Sequence, residues 1–328
     1  MMDPELAAVV AALPPMAAGD PVAARLRMKE FLAHLAADAQ AAGSDGLTIS
    51  DRTIAGPPGA PAIRVRLYEP NHRRMNAPCL VYFHGGGFIA GDLDSEHVRC
   101  VRLSAQADCV VVSVDYRLAP EHPFPAAVED CYAALAWAAA SVDDLGIDRS
   151  RVGIGGVSAG GALAAAVALM ARDRRGPVVA FQMLMFPVLD DRMETASMTL
   201  VGTPLFDGPG AARMWSSYLD GNRSSVSPYA APARAEDLHG LPPTYLVTGE
   251  FDPLRDEGIA YALRLLAADV SVELHNFAGG FHAFDAFPSA VSTRAANEQV
   301  EWLRRIADRL KDSVPEESLR QWTDGAST

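Results

Sequence analysis

Between Arg151 and Gly161 the chain reads Arg-Val-Gly-Ile-Gly-Gly-Val-Ser-Ala-Gly-Gly. A short apolar run enters a turn, Gly156-Val157-Ser158-Ala159-Gly160, and an alanine-rich stretch follows at once. A G-x-S-x-G turn between strand and helix holds its serine at strained backbone angles, out from the sheet edge. Its small neighbours let the two elements approach closely. Ser158 then stands at a helix N-terminus, where the first N–H groups lack intrahelical acceptors and favour an anionic oxygen beside them. Taken alone, the pattern fits a tight turn beside a nucleotide equally well, so other residues must decide.

A serine hydroxyl is a poor nucleophile at neutral pH. It needs a histidine base, an acid to hold that base, and donors for the oxyanion. Three consecutive glycines in His84-Gly85-Gly86-Gly87 follow an apolar run, and Gly85 and Gly86 can lend N–H groups beside that of Ala159. A phosphate loop is the alternative, but neither G-x-x-x-x-G-K-[ST] nor a helix-opening G-x-G-x-x-G is present. An acid and then a histidine come later, in Gly249-Glu250-Phe251-Asp252-Pro253 and in Gly279-Gly280-Phe281-His282-Ala283-Phe284. Asp252 is the expected acid, with Glu250 as a substitute; Asp256 and Glu257 fall on the following helix. His282 is the expected base, because His275 sits inside a strand and His84 is better placed to support the glycine loop. Phe88, Phe206, Met214, Trp215, Phe281 and Phe284 flank these positions, as pocket lining or as plain core. Chemistry of this kind requires no metal and no organic cofactor.

The elements that must position these groups follow from periodicity. Strands are expected at Leu47 to Thr53, Ile63 to Tyr68, Leu80 to Phe83, Val110 to Val114, Val152 to Ile154, Val179 to Phe186, Thr244 to Val247 and Val272 to Phe277. Gly56-Pro57-Pro58-Gly59 is too short for a helical crossover, so the first two strands should form an antiparallel hairpin. From the third onward strands alternate with helices, at Ala126 to Ala140, Gly161 to Arg172, Asp256 to Ala268 and Ala290 to Leu310. That alternation predicts a largely parallel sheet covered on both faces, with the serine, acid and histidine loops gathered at one edge. Two regions fall outside it. Residues 1 to about 45 carry Met28, Phe31, Leu32 and Leu35 along a helix face, and residues 191 to about 238 are long enough for a lid. The tail from Ser313 to Thr328 is expected to fray.

The chain has 328 residues, 49% of them hydrophobic, a net charge of −13 and a pI near 5.0. Nucleic acid is therefore an unsuitable partner. Cys79, Cys100, Cys109 and Cys131 lack paired spacing, which predicts buried reduced thiols and a cytoplasmic setting. Leu6 to Leu13 is apolar but follows Asp3 and Glu5, so neither a signal peptide nor stable membrane insertion is expected. The last strand, if it forms an open edge, could pair with its copy in a homodimer.

With serine, acid and histidine in that order, the chain resembles the bacterial hormone-sensitive-lipase-like carboxylesterases over most of residues 47 to 312. The likeness rests on His84-Gly-Gly-Gly, Asp115-Tyr-Arg-Leu-Ala-Pro-Glu-His-Pro-Phe-Pro-Ala126 and Asp252-Pro-Leu-Arg-Asp-Glu-Gly258. It implies an α/β-hydrolase fold with an eight-stranded, mostly parallel sheet flanked by helices and topped by a helical cap. Residues 1–45 and 191–238 would form the cap, and 46–190 with 239–328 the catalytic domain. It implies catalysis by Ser158, Asp252 and His282, an oxyanion hole of Gly85, Gly86 and Ala159, and a proline-stiffened connector from Tyr116 to Ala126 that supports the His84 loop. The expected activity is hydrolysis of short- to medium-chain carboxylic esters; an amidase, lactonase or deacetylase is the nearest alternative. A non-catalytic receptor is disfavoured, since receptors of this fold have lost the histidine that His282 supplies. One residue departs from the pattern: Val157 stands where the family carries Asp or Thr.

Overall fold

A computed structural model describes residues 1–12, 25, 45–73 and 75–311. The helix face of Met28, Phe31, Leu32 and Leu35, most of the N-terminal cap segment and the tail from Ser313 lie outside the described residues. Eight strands form one sheet: β1 Leu47–Ile54, β2 Ile63–Pro70, β3 Ala77–Phe83, β4 Val110–Asp115, β5 Ile147–Val157, β6 Gln182–Met185, β7 Thr244–Phe251 and β8 Val272–Phe281. Their spatial order is β1-β2-β4-β3-β5-β6-β7-β8. β1 and β2 form the expected hairpin, with Leu47 opposite Pro70 and Ile54 opposite Ile63, and β2 runs antiparallel to β4. Every other pairing is parallel.

The described helices are α1 Pro4–Ala12, α2 His97–Ala107, α3 Ala126–Ala140, α4 Val142–Leu145, α5 Ala159–Asp173, α6 Gly208–Tyr218, α7 Arg255–Ala267 and α8 Ala290–Lys311. Side chains alternate across the sheet, as a strand's period of two requires. Cys79, Val81 and Phe83 of β3 join a core with α3, α5, α6 and α7, while Leu80 and Tyr82 face the opposite core with α2, α8 and Leu6 of α1. The near-continuous apolar character of the central strands reflects burial on both faces. No helix among the described residues is long and apolar enough to cross a membrane. All four cysteines are buried and unpaired, and burial pushes the Cys79 thiol up to about 12.

Three boundaries differ from expectation in ways that matter for the site. β6 is shorter than Val179 to Phe186: it begins only at Gln182, and Phe186, with a φ of 48°, lies just past its end while its N–H still donates to the Val247 carbonyl. β7 runs on to Phe251 and β8 to Phe281, so Glu250 and the glycines before His282 belong to strand ends rather than loops. α2 lies outside the expected helices, although Cys100, Leu103 and Ala107, among its buried residues, carry helical spacing.

Candidate active site

Ser158 occupies the single residue between β5 and α5, with φ 57° and ψ −117°. Such a conformation is costly for a side-chain-bearing residue and persists only where its surroundings force it. The forcing contacts are visible. A Cβ added at Gly160 would lie 2.0 Å from the carbonyl oxygen of Phe83, and one at Gly156 only 2.4 Å from the same atom. The two glycines therefore let the turn rest directly on the end of β3. The Ser158 N–H donates to the Met185 carbonyl at 2.8 Å, fixing the turn to β6 as well.

Asp252 follows β7 and His282 follows β8, so three parallel strand ends bring the three groups together. His282 Nε2 lies 2.9 Å from Ser158 Oγ, and His282 Nδ1 lies 2.9 Å from Asp252 Oδ2. Asp252 is fully buried, and its second oxygen accepts the Leu254 N–H at 2.8 Å. With the carboxylate accepting at Nδ1, the proton sits on that nitrogen and Nε2 is free to accept from the serine hydroxyl. Glu250, the substitute acid, is elsewhere engaged: its carboxylate accepts the Gly279 N–H at 2.8 Å and ties β7 to β8.

The His84 loop abuts the serine turn. A Cβ on Gly85 would come within 3.6 Å of Ser158 Cβ, and one on Gly86, whose φ is 117°, would fall 2.2 Å from the Ala90 carbonyl oxygen. Among the described residues the N–H groups of Gly85, Gly86 and Ala159 donate to no backbone acceptor. His84 is buried, its Nδ1 is 2.7 Å from the Gly85 carbonyl, and its ring stacks on Tyr116 at 4.1 Å. Burial pushes its pKa down to about 4, which keeps it neutral. Tyr116 donates from its hydroxyl to the His84 carbonyl at 2.8 Å, and the Ala119 N–H donates to the Phe88 carbonyl at 2.9 Å. The proline-stiffened connector thus grips the glycine loop at both ends.

The expected pocket residues separate into three groups. Phe206 lies with its ring centroid 5.1 Å from that of His282 and so approaches the base, and Met214 packs beside the glycine loop, its Cγ 3.3 Å from where a Gly87 Cβ would be. Phe88 and Trp215 are buried in an aromatic stack with Tyr218, the Phe88 and Tyr218 rings 3.8 Å apart. For Phe281 and Phe284, open between lining and core in the sequence, burial favours core. Both are fully buried in the cluster with Phe277, Phe287 and Leu303, because β8 continues to Phe281 and carries it to the opposite face. The residue missed is Phe186, which packs edge-on to His282 at 5.9 Å.

Asp256 and Glu257 also have work that their motif alone did not specify. Asp256 accepts the Ser197 N–H at 2.7 Å, and Glu257 accepts the Leu189 and Asp190 N–H groups at 2.7 and 3.3 Å. They fasten the acid loop to the start of the 191–238 insertion. Burial raises the Glu257 carboxyl well above the usual carboxylate range, outweighing those two bonds.

A sequence family described as alpha/beta hydrolase fold matches residues 80–286. Esterase LipI of Mycobacterium tuberculosis is 41% identical over 267 residues, spanning 79% of this chain and 82% of that protein. Carboxylesterase NlhH of the same species is 41% identical over 254 residues, 76% of this chain and 79% of its own length. Among solved structures, a bacterial heroin esterase superposes with a TM-score of 0.89 at 46% identity, covering 93% of this chain and 98% of that one.

Proposed function

The chain belongs to the α/β-hydrolase fold family, in its hormone-sensitive-lipase-like esterase branch, and from that premise we propose a mechanism on Ser158. It hydrolyses carboxylic esters. The observation that carries the assignment is the unbroken hydrogen-bonded chain from Ser158 Oγ through His282 to Asp252.

Ser158 Oγ attacks the ester carbonyl while His282 Nε2 takes its proton, and Asp252 holds the imidazole in the tautomer that can accept it. The negative charge that develops on the carbonyl oxygen is met by the N–H groups of Gly85, Gly86 and Ala159. Loss of one such donor typically costs on the order of 10²-fold or more in turnover. Collapse expels the alcohol, which takes the proton from His282, and leaves an acyl group on Ser158. A water, deprotonated by the same histidine, then releases the acid and restores the serine.

Residues 191–238 would cap the catalytic domain of 46–190 and 239–311, while most of the N-terminal part of the expected cap lies outside the described residues. Phe206 and Met214 line an apolar pocket that fits short to medium acyl chains, with Phe88 and Trp215 as its backing. Four buried, unpaired thiols support a cytoplasmic setting. β8 is the terminal strand of the sheet, which supports pairing with a second copy; size measurement in solution tests that dimer. Hydrolysis of p-nitrophenyl esters graded in acyl length tests the substrate class: a steady rise to long chains would replace the short-chain reading.

A further inference from the structure

The turn that carries His282 is held by a buried ion pair that the catalytic relay does not use. Asp285, three residues beyond His282, lies in the short turn Phe284–Ala286, and Arg99 lies on α2, the helix that follows the glycine loop. Arg99 Nη1 donates to Asp285 Oδ2 at 2.5 Å and Nη2 to Oδ1 at 3.0 Å, a bidentate pairing. Their side chains are 5% and 0% exposed.

Further groups of the pair are engaged as well. Arg99 Nε donates to Glu96 at 2.8 Å, and Glu96 in turn accepts from the Tyr82 hydroxyl at 3.2 Å. Gln299 of α8 donates from Nε2 to Asp285 at 2.7 Å and accepts from Arg99 Nη1 at 3.3 Å. Arg99 Nη1 further points at Met185 Sδ, 3.8 Å away, and the Met185 carbonyl is the acceptor for the Ser158 N–H. One guanidinium therefore reaches three parts of the site: through Glu96, Tyr82 just before the His84 loop; Met185 behind the serine turn; and the turn after His282.

Burial of a charge pair is a poor route to stability, since apolar residues of similar volume often do as well. What such a pair supplies is direction. A planar fork against a carboxylate fixes distance and angle together, which apolar packing does not. Ala283, between His282 and this turn, has a φ of 55°, so the backbone changes course there and the imidazole depends on what anchors the far side. We propose that Arg99 and Asp285 are positioning residues, whose bidentate pair holds the His282 turn in register with Ser158. This inference rests on Ser158 acting as the nucleophile.

The test is the double variant Arg99→Met/Asp285→Leu, which removes both charges while keeping the volume filled. Its melting temperature should stay near that of the parent, whereas kcat and the rate of fluorophosphonate labelling should fall by about 10- to 100-fold with KM within about twofold, as expected for a misplaced base. A double variant that labels at the parent rate overturns the inference while leaving the nucleophile assignment intact. A parent protein that takes no label at Ser158 overturns that assignment and the inference with it. Should the double variant fail to fold, Asp285→Asn, which keeps the side chain's size, must still lower kcat at unchanged KM. An unchanged kcat in it overturns the proposal.

Discussion

Val157 packs its side chain against Gly85: the Cγ1 methyl lies 3.1 Å from the point where a Gly85 Cβ would stand. The residue preceding the proposed nucleophile is thus in contact with the loop that carries the proposed oxyanion donors. It is 2% exposed, within the core formed by Met183, Met185 and Phe186. A polar side chain, expected here from the family pattern, is replaced by apolar packing as the brace of the turn. Val157→Ala should cost about 2 kcal/mol in stability from lost burial and the space left behind. It should also slow fluorophosphonate labelling of Ser158 at temperatures well below unfolding. Labelling as fast as in the parent would show that Val157 braces nothing.

His84 is held neutral by burial, with a pKa lowered from 6.5 to about 4. A depressed histidine contributes its full stability above pH 6.5, where folded and unfolded chains are both neutral there, and loses it as pH falls toward 4. His84→Gln should therefore be less stable than the parent at neutral pH, with the gap narrowing on acidification. Melting temperatures of the two proteins across that range decide it. A constant gap contradicts the burial argument.

Glu257 has the opposite sign. Its raised pKa means that the folded chain keeps a proton that the unfolded chain releases above about 4.5, so stability falls as pH rises past that value. Glu257→Gln retains a carbonyl acceptor for Leu189 and Asp190 and has no proton to lose. Its melting temperature should gain on the parent between about pH 5 and pH 8. Parallel pH profiles would mean that Glu257 ionises freely in the fold.

Much of the site was legible because its chemistry is local. Ser158, Asp252 and His282 each stand at the end of a strand whose periodicity is plain, and parallel strands bring such ends together whatever their separation in the chain. Glu250 was harder to place, because the end of β7 depends on pairing with β8 and not on the residues of β7 alone. Phe281 and Phe284 stay open between lining and core in the sequence for the same reason: apolar type shows that a residue is buried, while strand extent decides against which face. Arg99 and Asp285 lie 186 positions apart, and nothing local marks two common charged residues as partners.

Phe206 closes on His282 from the insertion, with their rings 5.1 Å apart. Phe206→Ala should open that side and shift preference toward esters with bulkier groups, raising relative kcat/KM for them by about tenfold, the scale of one methylene in an apolar pocket. Kinetics on esters matched in acyl chain and graded in alcohol size, then the reverse, identify which group the ring limits. No change in either series would remove Phe206 from the pocket.

The central claim is that Ser158 forms the acyl-enzyme. Reaction with a fluorophosphonate followed by mass analysis of the digested protein tests it directly, beside Ser158→Ala as control. The account predicts one adduct, on the peptide containing Ser158, with esterase activity lost in proportion to labelling, and neither adduct nor turnover in the folded Ala variant. Full activity in that variant, or an adduct on another serine that tracks inactivation, would contradict it.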